Sequence, residues 1–426
     1  MAKKWMAAIA GAMLVATTAA CGGGSKDTAG GKAVLEVDNK PVELTIYMSG
    51  YDEARFAQFF GNFVKKKYPN VSFKLIGQGT LADVVTSGTK LDLFQSTSPG
   101  PVLELSLQND VTDLIKKYNF DVNALDPAVL ETMRIIGNGG IYGFPNGIAI
   151  TGLFYNRDLF DKFGVAYPKN GMKWDEVYEL ARKMTRKEGD VQVLGFAENV
   201  TVLANTNQMS QPYVDPKTTK AALNNDAWKK FVSNLARFHT IPGNELVADA
   251  NGAMQKEKRL AMFATQFSSA TMTAYTQEKL NWGIASLPEL PGYPGVGTGA
   301  IVPLFYVANG APNRDWAFKV ASFFATNEYQ TESAAVNGVF PSMKSRDAME
   351  KYAKDIPTIP ADKKILEAFP KTIAKPYPIS PLYDALVVKE LAAAFNAVAK
   401  GTTDVNTALR EAEDRANQAM EAVKKK

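Results

Sequence analysis

The sequence predicts a mixed α/β fold built from more than one domain. Its 426 residues correspond to about two to three domains of ordinary size. Hydrophobic residues make up 46% of the chain and charged residues 22%, the proportions of a folded globular protein. Early in the chain, a strand-like segment, an amphipathic helical pattern and two further strand-like segments follow one another. That order is typical of a right-handed βαβ unit with a parallel sheet.

The first βαβ unit begins with a strand over residues 44–48. A helix follows, with Asp52 as its N-cap and an apolar stripe at three- and four-residue spacing, formed by Phe56, Phe59, Phe60, Phe63 and Val64. Strands over residues 71–76 and 91–94 complete the unit. Ligands of open α/β sheets bind beyond the carboxyl ends of the strands, so loops 49–52 and 95–99 are predicted to face a site.

The remaining elements have weaker but consistent signals. The pattern predicts a final amphipathic helix over residues 404–425 and, before it, a helix with Ser380 as N-cap, Pro381 at its first position and Gly401 at its end. The other predicted elements are a strand at 148–155, helices at 173–187 and 225–239, a strand at 282–287, a crossing at 291–299 and a helix at 314–326.

Composition excludes several classes of function. A formal net charge of +4 rules out a nucleic acid held by bulk charge. One Cys and one His exclude multi-thiolate and His-clustered metal sites, and we expect no cofactor. The sequence has no P-loop, no dinucleotide fingerprint and no serine-hydrolase elbow. A hydrolase that uses two carboxylates stays open, because it needs no His.

The start of the chain predicts secretion and a lipid anchor. Residues 1–20 are predicted to be a signal peptide, with Lys3 and Lys4 before an apolar run too short to span a bilayer. Small residues then precede Cys21, as in a bacterial lipobox, although Thr18 stands where Leu is commoner. Residues 21–42 are expected to be the lipidated Cys and a flexible, Gly-rich tether. The alternative is an unmodified Cys after an ordinary signal.

The order of motifs resembles the family 1 extracellular solute-binding proteins of bacterial ABC importers, the maltose-binding group. The most specific motif is Tyr142-Gly143-Phe144-Pro145 followed by Tyr155-Asn156-Arg157-Asp158. Trp174-Asp175-Glu176 comes next at the family's usual distance, and weaker motifs continue to Pro341. The resemblance covers nearly all of the chain after the signal peptide.

The resemblance implies an α/β, two-lobed clamshell of the type II periplasmic-binding-protein class, with discontinuous lobes. The first lobe is expected to comprise residues 43–148 plus 297–341, and the second residues 152–294 plus 347–426. The crossings between them are expected near 149–152, 295–298 and 342–346. Gly295, Gly297 and Gly299 offer the backbone freedom that a crossing segment can use.

The resemblance also implies function. We expect a non-enzymatic monomer on the outer face of the bacterial cytoplasmic membrane, which binds a small solute such as a sugar or oligosaccharide by hinge closure. Its expected partners are the solute, the lipid anchor's membrane and the transmembrane permease subunits of an ABC importer, and no nucleic acid. The alternatives are a surface-anchored carbohydrate-active enzyme and a binding lipoprotein coupled to a sensor kinase. The identity of the solute and the type of cell envelope stay open.

A sugar site needs planar polar side chains for the hydroxyls and an aromatic ring for the sugar face. The candidates in the first lobe and at the first crossing are Ser49, Tyr51, Asp52, Gln95, Ser96 and Asn146. The candidates in the second lobe are Asn205, Gln208, Gln266, Phe267, Ser268 and Tyr383. Phe267 lies where many relatives carry a stacking Trp. Simpler roles stay open: a helix cap for Asp52, solvated loop for Asn205 and Gln208, and core packing for Tyr383. His239 is predicted to be a capping or surface residue.

Overall fold

The computed structural model describes residues 40–360, 363, 365–370 and 372–424. The predicted signal peptide, Cys21 and the tether up to residue 39 lie outside the described residues. Within the described range, the structure contains no helix that is both long enough and apolar enough to cross a bilayer.

Two main sheets organise the chain. The strands in chain order are β1 (Val42–Tyr47), β2 (Val71–Ile76), β3 (Leu93–Ser96), β4 (Gly143–Pro145), β5 (Thr151–Asn156), β6 (Arg186–Glu188), β7 (Val191–Val193), β8 (Ala197–Glu198), β9 (Val214–Asp215), β10 (Lys220–Ala221), β11 (Met262–Gln266), β12 (Trp282–Ser286) and β13 (Leu304–Val307). The first sheet has the order β2-β1-β3-β13-β4, and the second has the order β12-β5-β11-β8. The pairs β6–β7 and β9–β10 form two small hairpin-like ladders.

Helices cover both sheets. In chain order they are α1 (Glu53–Phe56), α2 (Asn62–Lys67), α3 (Leu81–Thr86), α4 (Gly100–Glu104), α5 (Thr112–Lys117), α6 (Pro127–Ile136), α7 (Arg157–Phe163), α8 (Trp174–Met184), α9 (Val200–Asn205), α10 (Asp226–Ala236), α11 (Ala250–Gln255), α12 (Ser269–Gln277), α13 (Arg314–Phe324), α14 (Asn327–Asn337), α15 (Asp347–Glu350), α16 (Asp384–Ala399) and α17 (Val405–Lys424). A π-helical turn, Ala57–Gly61, joins α1 to α2, and 3₁₀ turns occur at Val122–Ala124, Arg237–Thr240 and Ile365–Ala368.

The first βαβ unit is confirmed. Strand β1 pairs in parallel with β2 and with β3. Asp52 caps the first helix, because its Oδ1 accepts a hydrogen bond from the backbone N–H of Arg55 at 2.7 Å. Phe56, Phe60 and Phe63 are buried, as the apolar stripe predicts. The third strand starts two residues later than predicted and ends at Ser96.

The predicted strand over residues 148–155 is shorter in the structure. Regular pairing covers only β5, since the chain passes from the first sheet to the second just before it. In that passage Ile148 forms a single bridge with Phe340, and Ala149 forms one with Ile301. The two bridges bring three passages of the chain side by side.

The start predicted for the penultimate helix is wrong. Residues 381–383 form a turn, and α16 begins at Asp384. The carbonyl of Ser380 accepts hydrogen bonds from the N–H groups of Tyr383 and Asp384, each at 2.9 Å, which closes this turn before the helix. The predicted end is confirmed, because Gly401 takes a left-handed φ of +68° just after the helix. The buried face of α17 is also the predicted one, formed by Ala408, Leu409, Ala412, Ala416 and Met420.

The chain forms two lobes, one around each main sheet. The first sheet takes four strands from residues 42–145 and recruits β13 from much later in the sequence, so the lobes are discontinuous. Helices α16 and α17 pack on α9 and α10 beside the second sheet. The exact lobe boundaries and crossing positions given by the sequence stay predictions.

Candidate functional site

A cavity of about 340 Å³ lies between the two lobes. The first lobe contributes Thr97, Ser98 and Pro99 after β3, with Thr132 and Ile136 on α6. The floor is the passage 300–302, which precedes β13. The second lobe contributes Asn205, Tyr213, Tyr377, Ile379, Pro381, Asp384, Ala385 and Val388. The walls therefore combine aliphatic and aromatic surface with hydroxyl, amide and carboxyl groups, as a polar organic ligand requires.

The first-lobe wall is held by a tight turn at the end of β3. The Ser96 hydroxyl donates to the carbonyl of Ser98 at 2.7 Å and accepts from the Ser98 N–H at 3.2 Å. These bonds fix the backbone of Thr97 and Ser98 beside the cavity. Ser96 therefore positions the loop, whereas the two residues after it line the cavity.

The second-lobe wall is a hydrogen-bonded group of side chains. The Tyr213 hydroxyl donates to Oδ1 of Asn205 at 2.8 Å, and the Tyr377 hydroxyl donates to the Asn205 carbonyl at 3.3 Å. The Tyr213 ring also stacks on Trp228, with centroids 5.2 Å apart. Burial raises the pKa of both tyrosines well above the usual value, so both phenols stay protonated at neutral pH.

Asp384 contributes the carboxyl group of this cavity. Its Oδ2 accepts a hydrogen bond from the Ser380 N–H at 3.0 Å. Its Oδ1 is buried and has no hydrogen-bond partner among the described residues. Burial raises the pKa of this carboxyl from 3.8 to about 7. Asp384 is thus a buried acid with one oxygen left unsatisfied.

The cavity continues along the boundary between the lobes. A narrow neck of about 60 Å³ shares Thr132, Asn205 and Tyr377 with it. Beyond the neck lies an outer compartment of about 650 Å³, which shares Ile373 and Lys375 with the neck. Its lining includes Met343, Arg346, Phe369 and Glu131. The three spaces therefore adjoin one another along the boundary between the lobes.

The two lobes touch at the lip of the cavity. A Cβ atom built on Gly100, at the start of α4, would lie 2.6 Å from the carbonyl oxygen of Pro381 in the second lobe. Real Cβ atoms do not approach backbone so closely, so only glycine fits this contact. The structure is therefore a form in which the first-lobe loop closes against the turn that leads into Asp384.

Among the residues predicted as ligand contacts, Asn205 lines the cavity. Asn205 belongs to the second lobe, and the candidates in the first lobe lie outside the cavity. Ser49 is exposed, Gln95 is inside β3 opposite Phe305, and Tyr51 packs on Phe59 with the Arg55 guanidinium 4.5 Å from its ring. Asp52 is engaged as a helix cap.

The remaining candidates are structural or peripheral to the cavity. Gln208 is buried and donates to the Val296 carbonyl at 2.9 Å, Gln266 ends β11, Ser268 caps α12, and Tyr383 is half-buried beside Asp384. Asn146 is 7% exposed, and its Oδ1 has no partner in the described part of the chain. None of these lines the cavity.

Phe267, named as a ligand-contact candidate where many relatives carry a stacking Trp, lies in the core in this structure. Phe267 is 2% exposed and packs edge-on against Phe154, with centroids 5.2 Å apart. The space for its ring comes from Gly152 in β5, where a Cβ would lie 2.0 Å from the ring. A glycine far away in sequence therefore draws this aromatic residue into the core.

The sequence also missed residues of the site. Thr97 and Ser98 lie in the loop 95–99 that the sequence predicts to face a site, but the candidates named there were Gln95 and Ser96. Asp384, which directly follows the predicted Tyr383, was not named. Tyr377 had a usable signal, since it stands between Pro376 and Pro378 just before a helix. No local pattern distinguishes Tyr213 or Thr132.

The prediction for His239 is wrong as well. Its side chain is buried together with that of Glu198, each 1% exposed, and Nε2 lies 3.1 Å from Oε1 of Glu198. The pair belongs to the interior of the second lobe and does not line the cavity. The described residues include no cluster of three or more His, Cys, Asp or Glu that is suited to a metal ion.

Comparison with known proteins identifies the family. The family model described as bacterial extracellular solute-binding protein matches residues 45–331. The chain belongs to this family. As a solute-binding protein, it is similar to a putative binding protein of Brucella abortus (strain 2308), with 24% identity over 295 residues, which are 66% of this chain and 67% of the relative.

Two further relatives extend the comparison. The arabinooligosaccharide-binding protein of Bacillus subtilis (strain 168) is 28% identical over 203 residues, 42% of this chain and 43% of that protein. An ABC substrate-binding protein of Listeria monocytogenes, solved in complex with cycloalternan, superposes with a TM-score of 0.73 at 18% identity, covering 89% of this chain and 99% of that one. This likeness confirms the two-lobed type II clamshell for our solute-binding protein.

Proposed function

We propose that this protein binds a carbohydrate outside the cytoplasm and delivers it to the permease of an ABC importer. The observation that carries the proposal is the cavity walled by both lobes and lined also by residues 300–302, where Ile301 bridges Ala149 in the passage between the lobes. Hydroxyl, amide and carboxyl groups suit the edge of a sugar, while Tyr377, Ile379 and Val388 suit its apolar face. The carbohydrate named for the Bacillus relative and the one in the Listeria complex point to the same ligand class.

The proposed mechanism is closure around the ligand. A solute that contacts Thr97 and Ser98 on one lobe and Asn205 and Tyr377 on the other makes both sets of contacts only in the closed form. Binding therefore shifts the open–closed equilibrium toward closure by its difference in affinity for the two forms. The three adjacent passages are suited to act as hinges, because a few backbone dihedrals there absorb the rotation. The closed form then docks on the permease.

The chemistry of the cavity favours binding over hydrolysis. Hydrolysis by two carboxylates needs a second carboxyl within about 5–9.5 Å of the first, across the scissile bond. Among the described residues that line the 340 Å³ cavity, Asp384 is the only carboxyl group. We therefore propose a binding protein that releases its sugar unchanged.

The location is also part of the proposal. The family consists of extracellular proteins, and the small residues before Cys21 support a lipid anchor at that thiol on the outer face of the cytoplasmic membrane. We propose that the mature protein is a tethered monomer. Cys21→Ala is expected to release it into the medium or periplasm. Retention of this variant in the membrane fraction would overturn the anchor without affecting the binding proposal.

A ligand panel tests the function. Arabino-, xylo- and malto-oligosaccharides are titrated while Tm, radius of gyration and affinity are measured, and the sugar is recovered for analysis. We expect one class to raise Tm, compact the protein and return intact. Asn205→Ala is expected to weaken its binding about tenfold, since the cavity loses a polar side chain and the Tyr213 hydroxyl loses its acceptor. Asn224→Ala is the control, because Asn224 is exposed and outside the cavity.

Two results would overturn the proposal. One is a protein whose Tm and radius of gyration respond to no carbohydrate in the panel. The other is a sugar recovered in cleaved form, which would assign the cavity to an enzyme.

A further inference from the structure

The unpaired oxygen of Asp384 distinguishes it from the other polar groups of the cavity. Oδ2 is satisfied by the Ser380 N–H, whereas Oδ1 is buried and has no partner among the described residues. A buried oxygen without a donor loses its hydration and gains nothing in return. Because Asp384 lines the cavity, a ligand that closes against this side chain can supply the missing donor.

Among the described residues that line the cavity, none places a positive charge beside Asp384. The titratable groups that line the cavity with it are the phenols of Tyr213 and Tyr377, which stay neutral at physiological pH. The loop after β3 and helix α6 contribute Thr97, Ser98, Thr132 and Ile136, and no Lys or Arg occurs among the described lining residues. Asp384 is therefore the one group in this cavity that changes charge near neutral pH.

The position of Asp384 in its helix favours the charged form once a donor arrives. Asp384 is the first residue of α16, a helix of 16 residues, whose N-terminal dipole stabilises a carboxylate. Opposing this, burial raises the pKa of the carboxyl to about 7. A ligand donor at Oδ1 would tip this balance toward the carboxylate, because hydrogen bonds to a charged acceptor are stronger than those to a neutral one.

We propose that Asp384 determines the specificity of this site: its Oδ1 accepts a hydrogen bond from a hydroxyl or ammonium group of the solute, and solute binding releases the carboxyl proton to the solvent. The inference rests on the proposed function and names the chemistry that the cavity selects. Neutral sugars and amino sugars supply such a donor. A uronic acid brings a second negative charge next to Asp384, and the cavity disfavours it.

Calorimetry tests the coupling with the sugar identified by the ligand panel. Binding enthalpies at pH 7 in two buffers of different ionisation enthalpy give the number of protons released. We expect a fraction of a proton released at pH 7, and an affinity that rises about tenfold from pH 6 to pH 8. An affinity that is constant over this range, with no proton exchange, would overturn the proposal.

Substitution separates a ligand role from a structural one. Asp384→Asn keeps the acceptor for Ser380 and removes the charge. We expect about tenfold weaker binding, no pH dependence, and an unliganded Tm above pH 7 that is raised because a buried charge is gone. Asp226→Asn is the matched control, since Asp226 is also the first residue of a second-lobe helix and lies outside the cavity. Unchanged affinity in Asp384→Asn would overturn the inference while leaving the carbohydrate function intact.

The two donor sources are distinguished by matched sugars that differ only in one substituent. A sugar with a hydroxyl, its amino analogue and its uronic acid analogue are compared at pH 7. If the amino sugar binds more tightly and its advantage disappears in Asp384→Asn, the donor is an ammonium. If the neutral sugar binds at least as tightly, it is a hydroxyl. A uronic acid that binds as tightly as both would contradict the proposal. Asp384→Ser provides a second variant should Asp384→Asn unfold.

Discussion

Two buried carboxyl groups in the second lobe have opposite environments. Glu198 is paired with His239, whose Nε2 lies 3.1 Å from Glu198 Oε1 and whose Nδ1 lies 3.1 Å from the Asn244 carbonyl oxygen. Asp384 keeps one oxygen without a partner among the described residues. The Glu198 carboxyl has a hydrogen-bond partner within the protein, whereas Asp384 Oδ1 receives no donor from the described residues. Complete satisfaction therefore indicates a structural role, and its absence within a cavity indicates a ligand.

The paired group also has a defined protonation state. Both ring nitrogens of His239 face oxygen acceptors, so the doubly protonated imidazolium satisfies both. Burial by itself lowers the pKa of His239, but the hydrogen bond and charge of Glu198 more than offset it and raise this pKa above its usual value. The raised pKa favours the protonated ring beside Glu198, and loss of one partner from such a buried pair is strongly destabilising.

Breaking the Glu198–His239 pair is expected to give the largest effect. Glu198→Ala leaves Nε2 of the buried His239 without its partner, so the ring either stays charged at a desolvation cost or loses its proton. We expect the free energy of unfolding to fall by about 3–5 kcal/mol. Urea unfolding measures the loss. The control is Glu179→Ala, which removes an exposed ion pair with Arg182 and is expected to change stability by less than about 1 kcal/mol. Equal stability of the two variants would show that the buried pair is not structural.

Preventing the close contact between the lobes at Gly100 is expected to give the next largest effect, which is on sugar affinity. Gly100→Ala places a methyl group against the Pro381 carbonyl, at the turn that leads into Asp384. The closed form should become less accessible, and sugar affinity should fall by about 2 kcal/mol, roughly 30-fold. Calorimetry measures this change. Gly61→Ala is the control, because a Cβ there first meets a Phe56 side chain at 3.3 Å. Wild-type affinity in Gly100→Ala would mean that closure does not need this contact.

The pH dependence of the free energy of unfolding tests the raised pKa of His239 and that of Asp384. The raised pKa of His239 gives a stabilisation that is complete below about pH 6.5 and is lost as pH rises through the raised value. Asp384 acts in the same direction, because stability falls as pH rises from its unfolded pKa of 3.8 through about 7. Urea unfolding from pH 5 to pH 8.5 should show a decline, reduced in Asp384→Asn. Stability that rises over this range would contradict both assignments.

The smallest change in stability is expected at Asp52, an exposed carboxylate that is already hydrogen-bonded within the protein. Asp52 accepts the Arg55 N–H as a helix cap, so Asp52→Ala should lower the free energy of unfolding by about 1 kcal/mol. Its sugar affinity should stay at the wild-type value, since Asp52 does not line the cavity. Thermal unfolding and calorimetry measure the two quantities. A large loss of sugar affinity would instead show that Asp52 contributes to ligand binding.

The sequence predicted the elements better than the site, for a physical reason. Strand β2 and the buried face of α17 follow from local alternation and helical periodicity, which need no distant partner. The burial of Phe267 does not follow from local pattern, because the space for its ring is created by Gly152. His239 was misassigned because its partner is Glu198. Asp384 and Tyr377 line the same cavity as Thr97 only after distant segments of the chain have packed together. Local sequence patterns carry no information about that packing.

A crystal structure of the protein with the sugar found by the ligand panel would show what contacts Asp384. We expect the sugar between the loop 97–98 and Tyr377, with one of its donor groups about 2.6–3.2 Å from Asp384 Oδ1. A sugar bound elsewhere, or in the cavity with Asp384 Oδ1 still without a donor from it, would contradict the proposed role of Asp384.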